Sequence, residues 1–415
     1  MSVNDVARYR TAPLKLKFVI TSLPVGGAET LLLNLVRRLD RRIVDPEVVC
    51  LKEPGALGPE FSNEVALHSH LLRSKWDVGV LGRLKKLFRS TDAVITVGAG
   101  DKMFWGRLAA RLAKVPVVAS ALHSTGWPDG VGHLNRALTG ITDAFIAVAE
   151  AHADYLRDVE RFPASKVHFI PNGVDTNRFR PAGQDGVSIR RELGIPGDAP
   201  LVGIVAALRS EKNHTQFLAA AKSVVRRLPN THFLIVGDGP ERGSIEGEVK
   251  RLGLQDKVHF TGSRSDTPAL LSAMDVFCLT SRNEANPVSI MEALACEVPV
   301  IAPNVGSIDE TVKDGITGFL TEPLNSDATA NALLRLLSDR TTARQLGAAG
   351  RELIKREWSL DRMVEGYQQL VTDIYNQKAF IAGEPSFEVP RNPPVSAIPA
   401  TPTWNSQSWE VTQQP

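Results

Sequence analysis

The chain has 415 residues, 43% of them hydrophobic and 23% charged, and a formal net charge of only +2. That length exceeds what one hydrophobic core usually supports, and the composition excludes a disordered, fibrous or membrane-embedded body. Three scattered cysteines, Cys50, Cys278 and Cys296, exclude a disulfide framework and form no Cys-x-x-Cys pair for zinc, which fits a reducing, cytoplasmic setting.

Near the N-terminus, the apolar run from Leu14 to Ile20 is interrupted by Lys15 and Lys17, so no signal peptide is expected. The longest apolar stretches, such as Val115 to Leu122, are strand-length, far short of the ~20 residues that cross a bilayer. From Lys15 onward short β-rich runs alternate with helical segments, the pattern of parallel sheets covered by helices on both faces. The spacing predicts strands near 17–22, 47–51, 93–97, 116–121, 144–149 and 167–170, with helices starting near Ala28, Val78, Lys102, Gly132 and Ala151. Turn formers over residues 181–186 predict a linker. A second series follows, with strands near 201–206, 232–236, 258–261, 276–280, 300–302 and 318–320, separated by helices near Thr215, Pro240, Thr267, Val288, Ile308 and Ala328. Trp358 to Tyr375 predicts a further helix. Beyond Asn376 the composition shifts to Pro, Ser, Thr and Gln, an unstructured tail over 377–415 in which Trp404 and Trp409 alone suggest docking. Residues 1–180 hold 25 Lys and Arg against 18 Asp and Glu, the remainder 23 against 28, so the two halves face different partners.

Two glutamates, Glu284 and Glu292, stand eight positions apart in Ser281-Arg-Asn-Glu-Ala-Asn-Pro-Val-Ser-Ile-Met-Glu292. Proline suits the first turn of a helix, so the run reads as a loop carrying Glu284 and a helix starting near Pro287 that carries Glu292. A helix N-terminus offers free N–H groups and a positive dipole end to an anion, and the two carboxylates flank it. That arrangement suits a diphosphate with a sugar on either side, because each carboxylate accepts hydrogen bonds from vicinal hydroxyls. The strand-loop-helix context argues against the plainer reading of an unrelated loop carboxylate and a surface helix residue.

This Glu-x7-Glu pattern with an internal proline resembles the hallmark of glycosyltransferase family 4, the large retaining GT-B family typified by phosphatidylinositol mannosyltransferases and by lipopolysaccharide and capsule glycosyltransferases. Gly26-Gly-Ala-Glu29, Ile170-Pro-Asn-Gly-Val-Asp175, Glu211-Lys-Asn213, Val236-Gly-Asp-Gly-Pro240, Gly262 and Thr317-Gly-Phe-Leu320 extend the resemblance, in order, over most of residues 15–370. It implies an α/β fold of GT-B type, two Rossmann-like doubly wound domains facing across a cleft. The acceptor-binding domain would be residues 1–180, the nucleotide-sugar-binding domain 187–357, and a helix over 358–376 would cross back to the first. The resemblance further implies that Glu284 contacts the transferred sugar, Glu292 holds the ribose, and backbone groups near Asn286, Pro287, Val288 and Ser289 hold sugar and phosphates. Lys212 would neutralise the departing diphosphate. The arginine usual five residues before that lysine is Ala207 here, and Arg209 is near enough in sequence to replace it.

Gly26 and Gly27 follow the first strand and open a helix, so their backbone can approach a ligand closely; in the family this loop borders acceptor and donor phosphates. His123 lies at the carboxyl end of a strand, where open α/β sheets bind ligands, and matches a family histidine near the transferred sugar. A tight turn and a structural histidine are the simpler alternatives. Gly237 belongs to the family's strand-end turn, and Ser263 and Arg264 match the nucleobase seat. Gly98-Ala-Gly100 invites a dinucleotide reading, but Met103 stands where that fingerprint requires a small residue. From Val78 to Arg89, Val80, Leu81, Leu84, Leu87 and Phe88 interleave with Arg83, Lys85, Lys86 and Arg89, a basic amphipathic helix suited to anionic lipid or simply solvated. No basic-aromatic stacking pattern accompanies it, so no nucleic-acid partner is expected.

The expected activity is that of a retaining hexosyltransferase, passing a hexose from a UDP- or GDP-linked donor to a sugar, lipid-linked or inositol-type acceptor in cell-surface polysaccharide or glycolipid synthesis. The setting would be the cytoplasm, with peripheral contact at the inner face of the membrane. No Asp-x-Asp pair stands near the donor motifs, and Lys212 with the helix dipole can supply the charge a metal gives elsewhere, so neither metal nor cofactor is expected. A nucleotide-sugar epimerase on the same fold and a non-catalytic sugar-nucleotide sensor, which Ala207 keeps open, are the alternatives.

Overall fold

A computed structural model describes residues 9–74, 77–98, 102–123 and 136–390. After a two-residue strand, β1 (Tyr9–Arg10), the first half contributes β2 (Leu14–Ile20), β3 (Val44–Cys50), β4 (Ala66–His68), β5 (Ala93–Val97), β6 (Val117–Ala121), β7 (Ala144–Ala147) and β8 (Val167–Phe169). They form one sheet in the order β4-β3-β2-β5-β6-β7-β8. The second half contributes β9 (Leu201–Val205), β10 (His232–Val236), β11 (Val258–Gly262), β12 (Val276–Cys278), β13 (Val300–Pro303) and β14 (Gly318–Thr321), in the order β11-β10-β9-β12-β13-β14. The pairings in both are parallel. Runs such as Ala93–Val97 and Val117–Ala121 are buried at every position, as strands between two helical layers require. These are the two doubly wound domains of the GT-B architecture. In each sheet the strand order reverses, between β2 and β5 and between β9 and β12, and the crevice beyond the carboxyl ends at such a switch point is where open α/β sheets bind ligands.

The stretch 181–186 is not an open linker. Helix Gly183–Glu192 begins inside it, and Gly186 packs so closely on Ser272 that a Cβ would overlap that residue's carbonyl. Gly186 serves close packing rather than flexibility. Before this stretch, the chain meets the returning C-terminal segment at Val174, where Val174 N donates to Trp358 O and accepts, through its carbonyl, from Leu360 N, both at 2.9 Å. Helix Arg340–Glu357 packs on the second domain, and helix Leu360–Ala382 returns to bury Met363, Tyr367, Leu370 and Val371 in the core of the first. That helix runs beyond the 376 expected, because Ala379 still meets the core. It is followed by β15 (Ser386–Phe387), which pairs with β1, so the predicted tail is structured through these residues. Trp404, Trp409 and the helix start at Gly132 lie outside the described residues.

Candidate active site

The second-domain side of the cleft is built from the loops after β9 and β12, the two strands at the switch point. The first loop rests on the turn after β10: Ala206 N donates to Val236 O and Leu208 N to Asp238 O, both at 3.0 Å. Gly237, at φ +139, sits where a Cβ would overlap the Ala206 carbonyl. The loop then tightens into a 3-10 turn, Ser210–Lys212, and Asn213 takes left-handed backbone before helix His214–Arg227. Thr280 Oγ1 donates to the carbonyls of Lys212 (3.2 Å) and Asn213 (3.1 Å), and Arg282 N donates to Glu211 O (2.8 Å), stitching the two loops together. Across this stitch Lys212 Nζ stands 2.5 Å from Glu284 Oε1.

The second loop leads into helix Val288–Ala295, whose N-cap is Pro287; no side chain caps this N-terminus. Ile290, Met291, Ala293 and Leu294 are buried, which leaves Val288, Ser289 and Glu292 on the open side. Burial pushes the Glu292 carboxyl up to about 7, with Arg178 drawing it back down. Asn286 O accepts from Asn172 Nδ2 of the first domain at 3.3 Å. Underneath, Ser307 Oγ donates to Ala285 O, and Gly306, at φ +59, lies where a Cβ would overlap the Glu284 carbonyl.

From the first domain, Gly26 caps helix Gly27–Arg38 without a side-chain bond, and a Cβ on Gly27 would stand 3.9 Å from Val288 Cγ2. The glycine loop therefore abuts helix Val288–Ala295. Burial raises the Glu29 carboxyl above its ordinary range while Arg209, across the cleft, draws it down. His123, two residues past β6, lines a small crevice with Ala28, Leu31 and Tyr367. Burial, then repulsion from His152, holds its imidazole down to about 4, so it is neutral near pH 7.

The structure thus gathers Lys212, Glu284, Asn286, Pro287, Val288, Ser289 and Glu292 beside Gly26 and Gly27, with the exposed Arg209 on the Glu29 side and Gly237 beneath. Ser263 is exposed just past β11, but the Arg264 guanidinium is engaged by Glu192 (2.5 Å) and Asp266 (2.6 Å), leaving backbone rather than side chain free at that position. The basic helix Val80–Leu87 corrects an expectation: Val80, Leu84 and Phe88 are buried against helix Lys102–Leu112 and the sheet, so its apolar face is not available to lipid. What faces outward is Val78 with Lys85, Lys86 and Arg89. Among the described residues no group of three or more His, Cys, Asp or Glu could hold a metal ion, and no helix is long and apolar enough to cross a membrane. Sequence reading quoted Asn172 only within a motif and missed Glu310; their partners lie 114 and about 160 positions away, separations that no local spacing encodes.

The family model described as "Glycosyltransferase Family 4" matches residues 25–178, and that described as "Glycosyl transferases group 1" matches 187–353. A GDP-mannose-dependent alpha-(1-6)-phosphatidylinositol monomannoside mannosyltransferase from Mycobacterium tuberculosis is 33% identical over 301 residues, 68% of this chain and 76% of the relative. The chain belongs to glycosyltransferase family 4. This glycosyltransferase is also 28% identical, over 76% of its length and 86% of the relative, to an Escherichia coli UDP-Gal:alpha-D-GlcNAc-diphosphoundecaprenol alpha-1,3-galactosyltransferase. In fold it resembles Anabaena HepE, solved in complex with UDP and glucose, with a TM-score of 0.78 and 22% identity over 87% of this chain and 100% of that one.

Proposed function

We propose that this glycosyltransferase is a retaining, metal-independent hexosyltransferase that uses a UDP- or GDP-linked donor. The observation that carries the reading is the Lys212–Glu284 pair beside an uncapped helix N-terminus, with Glu292 on the same helix. A donor diphosphate takes the free N–H groups of Val288 and Ser289 and the Lys212 ammonium; the hexose hydroxyls take Glu284 and the ribose hydroxyls take Glu292. The bond from the anomeric carbon to the diphosphate breaks as the acceptor oxygen bonds to the same face of that carbon. The acceptor proton passes to the leaving phosphate oxygen, and Lys212 stabilises the charge that gathers there. An α-glycoside and a nucleoside diphosphate result. Neutral His123, on the first domain, offers a hydrogen bond to the transferred sugar.

The relatives' own donors, GDP-mannose and UDP-galactose, and their lipid-borne acceptors support a nucleotide-sugar donor and a glycolipid or polysaccharide acceptor. The outward cations Lys85, Lys86 and Arg89 and the positive excess of the first half suit an acceptor at the anionic inner face of a membrane. A panel of UDP- and GDP-hexoses incubated with membrane lipid extract, with and without EDTA, tests the proposal. One nucleotide released only with lipid, resistant to EDTA, with an α-anomeric product by NMR, supports it. Isomerisation of donor without acceptor indicates an epimerase instead, and tight binding without release indicates a sensor.

A further inference from the structure

We infer that Glu310 is a positioning residue that latches the two domains together and sets the register between the donor and acceptor halves of the cleft. This deepens the reading above and rests on it. Glu310 belongs to helix Ile308–Thr311 of the second domain, yet its carboxylate accepts from two backbone N–H groups of the first: Ala151 N at 2.7 Å to Oε1 and Glu150 N at 3.0 Å to Oε2. Those are the first residues of helix Glu150–Asp158, whose N-cap, Ala149, has no side-chain acceptor to offer. The cap that a serine or aspartate would provide locally is supplied across the cleft.

Each end of this contact is rigidly joined to one half of the site. On the second-domain side, Gly306 and Ser307 immediately precede Glu310's helix; Ser307 Oγ holds Ala285 O and Gly306 lies flush on the Glu284 backbone, so Glu310 and Glu284 move as one body. On the first-domain side, the capped helix follows β7 directly and carries the buried His152, whose Nδ1 accepts from Val148 N at 3.4 Å, and β7 itself holds the segment before His123 through Leu122 N donating to Ile146 O at 3.0 Å. The latch therefore ties the carboxylate that meets the transferred sugar to the histidine that flanks it from the opposite domain. Burial first, then repulsion from Glu150 and Asp309, raises the Glu310 carboxyl and opposes the contact, while the two backbone N–H groups draw it back down. A carboxylate that stays there against like charge is held by the two N–H groups and the helix dipole. A second domain-to-domain bond, Asn172 Nδ2 to Asn286 O, lies on the donor loop itself.

The test uses the full-length enzyme as wild type, Glu310→Ala, Glu310→Gln and Ala149→Ser. Glu310→Ala is expected to raise amide hydrogen exchange at the start of helix Glu150–Asp158 about tenfold. It should also lower kcat about 10- to 100-fold while donor affinity changes less than about twofold. Glu310→Gln, which keeps one acceptor oxygen, should recover part of both. Ala149→Ser supplies a local cap that competes with Glu310, so it should lower kcat while protecting the same amides. Unchanged exchange and kcat in Glu310→Ala would overturn the latch, as would a loss of donor affinity equal to the loss of kcat, which would mark damage to the donor loop. Hydrogen exchange needs no turnover, so the latch can fail or hold independently of the proposed reaction; should Glu310→Ala not fold, the glutamine and serine variants decide.

Discussion

Lys212 and Glu284 share a hydrogen bond before either meets a ligand, so a donor must exchange one strong contact for another rather than neutralise free charges. Lys212→Ala removes the cation that the proposed reaction sets against the leaving diphosphate and should lower kcat by about 10²- to 10³-fold, measured by nucleotide release at saturating donor. Lys212→Arg should recover part of that loss. Glu292 carries a pH signature. Its carboxyl is raised to about 7 in the free protein, and hydroxyls donate more strongly to its ionised form than to the acid, so on the proposed ribose contact donor affinity should rise with pH by up to about tenfold per unit between roughly pH 5 and 7. Titration calorimetry across that range checks it, and Glu292→Gln should flatten the profile. Both carboxylates and the lysine were legible in the sequence because one loop and one helix start place them. The ion pairs of the Arg264 side chain were not legible, since its partners Glu192 and Asp266 come from a helix 72 positions away and from its own turn.

Helix Val288–Ala295 shows how an element becomes a site. Its apolar residues hold one face in the core while an uncapped first turn stays open, and the loop before it is fixed by what lies under it. Gly306 is the tightest of those supports: its φ is +59 and the space where a Cβ would stand is filled by the Glu284 carbonyl. Gly306→Ala should therefore displace the loop, with a loss of stability of about 1 kcal/mol or more by denaturant titration and a loss of turnover larger than that destabilisation alone explains. The alternation of strands and helices was readable because β-branched runs and strand-end glycines recur at short intervals. Short elements such as β4 and helix Gly58–Glu64 carry too few residues to show a period, and Gly186 reads as flexible because its close packing against Ser272 is invisible in one dimension.

At the scale of the whole molecule, two sheets of seven and six strands oppose their switch points across one cleft, and helix Leu360–Ala382 fastens the second half to the core of the first. Burial in these cores holds His123, His214 and His232 each down to about 4. An unfolded chain protonates these histidines near pH 6.5, so it binds more protons than the fold between about 6.5 and 4, and stability falls as pH is lowered through that window. The slope should reach about 1.4 kcal/mol per pH unit for each histidine, offset in part by Glu292, whose raised value acts in the opposite sense over the same range. Urea unfolding at a series of pH values measures it, and His214→Gln should reduce the slope by about one proton's worth.

On the proposed reaction, sugar transfer depends on Glu284 more than donor binding does. The most direct measurement compares donor binding and nucleotide release in wild type and Glu284→Ala, using the donor that the panel identifies. The structure predicts that the variant still binds donor, because the helix N-terminus, Lys212 and Glu292 remain, while release falls by about 10²-fold or more. Release at the wild-type rate in folded Glu284→Ala would contradict it.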